Sequence, residues 1–161
     1  MKKSTFLAIG ALAAFAAVNT AAAQSATQTV TFQVTAINQI AVTGTPSLVI
    51  NTASAGSAPT AATSSGNTWS VTTNQSGASI TASIPTAMPT GVTLSTNLTA
   101  PSGATSTGLT ALTTTAVNVV TGISKLNASG LALAYQLDAT AAAGVVSSAT
   151  RVVTFTITGG V

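Results

Sequence analysis

Val153-Thr154-Phe155-Thr156-Ile157-Thr158 is the stretch on which the fold class turns. Val153, Phe155 and Ile157 fall on one face of an extended chain, and the threonines fall on the other. Period-two alternation of this kind predicts a strand with one buried and one wetted face. The β-branched residues strengthen the reading, because they lose χ1 freedom in a helix and suit a pleated surface. The same pattern stands near the other end of the chain as Val30-Thr31-Phe32-Gln33-Val34-Thr35, matching in residue type at each position.

Working outward, similar runs fill the chain between these two. Ile37 to Val42, Ser47 to Ile50, Trp69 to Thr72, Ser79 to Ile84, Val92 to Leu98, Ala116 to Val120 and Leu131 to Leu137 all read as strands. Asn74-Gln75-Ser76-Gly77 reads as a hairpin turn, and Met88-Pro89-Thr90-Gly91 as a chain reversal. Segments 52–67 and 101–108, rich in Ser, Gly, Ala and Pro, read as loops. Ala139 to Ala143 has the composition of a short helical turn ended by Gly144. The expected fold is all-β: a single immunoglobulin-like β-sandwich of about eight or nine strands. The expected core is Val30, Phe32, Val34, Val71, Ile80, Leu94, Leu98, Leu131, Leu133, Tyr135, Val153, Phe155 and Ile157. An outer-membrane barrel would need girdles of aromatic residues, and beyond residue 23 only Phe32, Trp69, Tyr135 and Phe155 are aromatic.

Residues 1–23 have a different character. Lys2 and Lys3 precede an apolar stretch from Phe6 to Val18, and Ala21-Ala22-Ala23 supplies small residues before Gln24. That is the layout of a secretory signal peptide. The apolar stretch is shorter than the roughly 20 residues of a membrane span. The domain organisation expected is a signal peptide over 1–23 and one β-domain over 24–161, exported to the periplasm, the cell surface or the medium. No transmembrane span is expected in the mature chain. With no Cys, that domain must be held by packing and backbone hydrogen bonds alone.

Composition removes most chemistry. The chain has no His, no Cys and no Glu, and Asp138 is its one carboxylate. General acid–base catalysis and metal sites both need groups that are missing here, so no catalytic, cofactor or metal residues are expected and the protein reads as a non-enzyme. Asp138 is expected on a rim, paired with Arg151 or Lys125. Those three give residues 24–161 a net charge of +1, which is no footprint for nucleic acid. Asn74, Asn97 and Asn127 head sequons, which matter only in a host that glycosylates exported proteins. Trp69 and Tyr135 are the residues suited to stacking on a sugar, with core filling the expected role for both.

An exported Thr- and Ala-rich all-β chain, nearly free of charge and with an alternating strand at each end, resembles bacterial fimbrial subunits and spore-coat-U-like proteins. It also resembles immunoglobulin-like surface domains. It lacks the Cys pair common in the first two families and ends Thr158-Gly159-Gly160-Val161. The resemblance implies a secreted structural protein of the cell surface that self-associates into oligomers or fibres. The residues point the same way. Val30, Phe32 and Val34 form a candidate strand-exchange segment, uncharged and free of Pro, and Val153, Phe155 and Ile157 form a candidate pairing edge. The alternative is a monomeric module that binds carbohydrate or a surface partner through the loops 52–67 and 101–108. Cleavage is expected after Ala23, so the exported protein should begin at Gln24 by mass spectrometry; retention of 1–23 would leave the chain tethered.

Overall fold

The computed structural model describes residues 23–161, so the expected signal peptide lies, but for Ala23, outside the described residues. The chain divides into two units, 1–33 and 34–161. In the first, residues 23–33 are exposed and carry no strand. The second unit is an all-β, sandwich-like fold of nine strands in two antiparallel sheets.

The strands are β1 (Asn38–Thr43), β2 (Ala62–Thr73), β3 (Ala78–Ser83), β4 (Val92–Leu98), β5 (Thr105–Ser106), β6 (Thr110–Ala111), β7 (Val117–Ile123), β8 (Leu126–Ala139) and β9 (Thr154–Thr158). One sheet runs in the order β1-β2-β8-β4-β6, the other β5-β7-β3-β9. The alternation seen in sequence sets the faces. In β3, Ala78, Ile80 and Ala82 are buried while Ser79, Thr81 and Ser83 stay half-exposed. In β2, Asn67, Trp69, Val71 and Thr73 turn inward.

Trp69 is 1% exposed, and its indole Nε1 donates to the Thr99 carbonyl at 3.2 Å. Burying an aromatic ring of this size is strongly favourable provided its N–H keeps a partner. Thr96 is wholly buried, and its Oγ1 donates to the Ala134 carbonyl at 3.2 Å. Around these pack Val71, Ile80, Leu98, Val119, Val120, Ile123, Leu133 and Tyr135. Gly44 has φ +112, and a Cβ there would run into the Asn67 side chain, so only glycine fits. Lys125 holds φ 43 in the tight β7–β8 connection, the left-handed region that costs a non-glycine residue energy.

Several expectations are corrected. The stretch from Thr29 to Thr35 is not a strand, and Val30, Phe32 and Val34 are exposed rather than in the core. Their sequence suits a sheet, yet among the described residues no strand pairs with them. The turn Asn74–Gly77 joins β2 to β3 in different sheets, so it is a crossover and not a hairpin. Ser47 to Ile50 is not assigned to a strand, although Leu48 and Ile50 are half-buried in alternation. The loop expected over 52–67 is shorter, because β2 begins at Ala62, and the loop over 101–108 contains the short β5. Asp138 accepts from Gln136 Nε2, 3.0 Å to each carboxylate oxygen, instead of pairing with a cation. Val71, Ile80, Leu94, Leu98, Leu133 and Tyr135 are buried as expected, and Leu131, Val153, Phe155 and Ile157 are partly buried against them. A single 3-10 turn, Ala141–Ala143, stands where the helical turn was expected, and Gly144 closes it with φ 63. Among the described residues no helix is long and apolar enough to cross a membrane.

The two similar hexapeptides therefore stand in opposite environments. Phe155→Ala is expected to cost about 2–4 kcal/mol in urea denaturation of dilute protein, somewhat less than a fully buried ring would. Phe32→Ala should move the same midpoint by less than about 0.5 kcal/mol. Equal losses would mean that both rings are packed.

Candidate self-association site

Two elements carry the candidate site, and the structure shows each by itself. The first is the N-terminal segment. Val30 is 73% exposed, Phe32 89% and Val34 78%. Leaving such side chains in water forgoes roughly 1.5–3 kcal/mol each relative to burial. Immediately after them the backbone is fastened. Asn74 Nδ2 donates to the Thr35 carbonyl at 2.7 Å, the Ile37 N–H donates to Asn74 Oδ1 at 2.8 Å, and the Asn74 N–H donates to the Ile37 carbonyl at 3.2 Å. Asn74 is thus a clamp at the point where β1 is about to begin. Nothing in its sequon reveals that role, which depends on a contact across 39 residues. A glycan on this amide nitrogen would compete with the clamp.

The second element is β9. It pairs antiparallel with β3, placing Thr154 opposite Ser83, Phe155 opposite Ala82, Thr156 opposite Thr81, Ile157 opposite Ile80 and Thr158 opposite Ser79. It is the last strand of its sheet, so among the described residues its other edge has no strand partner, although β1 lies close and Asn38 Nδ2 donates to the Gly159 carbonyl at 3.5 Å. Unpaired edge groups are a template for another strand unless blocked. Thr154, Thr156 and Thr158 point to water, and Val153, Phe155 and Ile157 pack inward. Beyond β9, the Val161 N–H donates to the Ser76 carbonyl at 3.1 Å and the Ser76 N–H donates to the Val161 carbonyl at 2.9 Å, which tethers the chain end. Upstream, Arg151 Nη1 donates to the Thr150 carbonyl at 2.9 Å and Nη2 to the Ala87 carbonyl at 3.2 Å. Its two terminal nitrogens bond backbone carbonyls, while its buried Nε has no partner among the described residues. The structure brings Val153, Phe155 and Ile157 together on the inner face of β9 and the residue before it.

A groove of about 1110 Å³ opens nearby, lined by Leu48, Met88, Leu94, Tyr135, Leu137 and Val153 among others. Sequence reasoning missed it. Its lining comes from strands and from unpaired segments distant in the chain, which share no sequence signal. Segments 52–53 and 59 of the expected binding loop contribute to its rim, whereas the loop 101–108 does not.

Burial pushes the Tyr135 phenol above its ordinary pKa. A folded value above the unfolded one means that its contribution to stability is complete below the unfolded pKa of about 10 and is lost as pH rises through the folded value. Between neutrality and pH 9 the Tyr135→Phe variant should track the parent, and above pH 10 it should resist alkaline unfolding better. Equal alkaline loss in both, followed by fluorescence or circular dichroism, would show the phenol to be fully solvated. Comparison of the chain with protein-family models, curated proteins and solved structures finds no match, so the functional reading rests on the residues themselves.

Proposed function

We propose that this protein is an exported, non-enzymatic structural component of the cell surface that self-associates by strand pairing, with the segment around Val30, Phe32 and Val34 of one copy joining a sheet of the next. The observation that carries the proposal is the exposure of those three side chains on a segment that has no strand partner among the described residues and takes no part in the buried core. Uncharged, alternating and free of Pro, the segment has the sequence of a strand awaiting a sheet. Residues 24–161 carry little charge, so weak electrostatic repulsion opposes association of copies. The signal-peptide reading of 1–23 and the immunoglobulin-like reading of the sandwich belong to this proposal. The first is supported by the Lys2-Lys3, apolar and Ala21-Ala22-Ala23 layout, the second by two facing antiparallel sheets.

A second reading has its own observation. The groove beside Tyr135 mixes apolar side chains with hydroxyl groups, is large enough for a small ligand, and has Arg151 on its lining. It supports a monomeric binding module for carbohydrate or another surface partner.

Light scattering on the chain beginning at Gln24 separates them. Self-association predicts a mass that rises with concentration. Both deletion of Ser25 to Ala36 and the single change Phe32→Gln should return the mass to that of a folded monomer. A strict monomer at every concentration overturns the proposal and leaves the module.

A further inference from the structure

The hexapeptide Val30–Thr35 and the strand Val153–Thr158 present the same side-chain sequence to a neighbour, and one of them already has a place. We propose that the position beside β3 is an either-or site, filled by β9 in the monomer and by Val30–Thr35 of a second copy in the assembled form. This rests on the self-association reading and names its acceptor.

The requirements of that position are set by β3 and the core. It takes apolar side chains at three alternate positions, small hydroxyl or amide side chains between them, and no charge or Pro. Val30, Phe32 and Val34 stand in for Val153, Phe155 and Ile157, and Thr31, Gln33 and Thr35 for Thr154, Thr156 and Thr158. The match is conservative. It gives up one methylene where Val34 replaces Ile157 and enlarges one water-facing side chain where Gln33 replaces Thr156.

The middle ring fixes the register. Phe155 lies opposite Ala82, a buried residue small enough to leave room for the ring, while Ile157 lies opposite Ile80. The substituted strand would therefore set Phe32 against Ala82, Val34 against Ile80 and Thr31 against Ser83. A slip of one residue would turn all three apolar side chains to water.

β9 is suited to leaving. It is five residues long, pairs with β3 alone and forms the edge of its sheet. Its core-facing side chains are only partly buried. In one molecule, β9 has the advantage of tethering, since a linked strand competes at high effective concentration. A neighbour's segment prevails only when protein is concentrated. The either-or site thus makes assembly steeply dependent on concentration and slow, because β9 must open before the exchange.

The absence of cysteine from the chain makes cross-linking a clean test. Chains beginning at Gln24 and carrying Thr31→Cys are mixed with chains carrying Ser83→Cys, then oxidised at high and low concentration. Directly opposed strand residues lie about 4.5–5.5 Å apart at Cα, within disulfide reach. Both positions are outside the core, so the variants should fold. The expected result is a mixed disulfide dimer that forms at high concentration and is suppressed by excess peptide spanning Arg151–Val161. A parallel mixture pairs Thr31→Cys with Thr156→Cys, whose side chain lies on the outer face of β9. A dominant Thr31–Thr156 link shows the segment adding outside β9, which overturns the either-or site and leaves self-association intact. Oligomers with neither link also overturn the site alone. A strict monomer by light scattering overturns both proposals.

Discussion

Trp69 must keep its indole N–H satisfied in the driest part of the molecule, and much of the sandwich follows from how that is done. The Thr99 carbonyl accepts from it, and the Thr99 N–H in turn donates to the Ala132 carbonyl at 2.9 Å. β2, the end of β4 and β8 are therefore tied together around one ring. A chain without disulfides and almost without charges has few other ways to fix the relation of its strands. Packing density and satisfied backbone groups have to supply it. Thr96 and Asn67 serve the same end, since each buried polar group carries its own partner.

That economy leaves the edges as the exposed weakness of the fold. Natural sheets protect their edges with charge, Pro or a covering element. Here β9 has Arg151 upstream, bonded to the carbonyls of Ala87 and Thr150, and β1 close by, with Asn38 donating to the Gly159 carbonyl, but no charge or Pro within the strand. The threonines of β9 make its outer face soluble without making its edge repulsive. A surface protein that assembles through strands needs such an edge, and a strictly monomeric one has reason to avoid it. The exposed Val30, Phe32 and Val34 supply the complementary half of the same argument.

Legibility in the sequence followed the source of each constraint. β3, β4, β8 and β9 were visible because side-chain alternation is local and survives in a one-dimensional pattern. β5 and β6 were not visible, since two-residue strands carry no period. The burial of Ser95 beside Leu94 and Thr96 was equally hidden, because it breaks the alternation. The groove was hidden because its walls come from segments near 48, 88, 94, 135 and 153, which share no sequence signal. The clamp at Asn74 was hidden behind a turn sequence because its meaning lies in its contact with Thr35 and Ile37.

The two similar hexapeptides divide the contributions most clearly. By itself the sequence determined that both are competent strands: apolar at alternate positions, β-branched and uncharged. It also determined the all-β class and the near-absence of titratable chemistry. Only the tertiary structure decided that Val153–Thr158 lies against the core while Val30–Thr35 does not. Strand propensity is a property of a segment, whereas pairing requires a free neighbour at the right register. The single chain has one such position beside β3, between Ser79 and Ser83, and its C-terminal strand holds it.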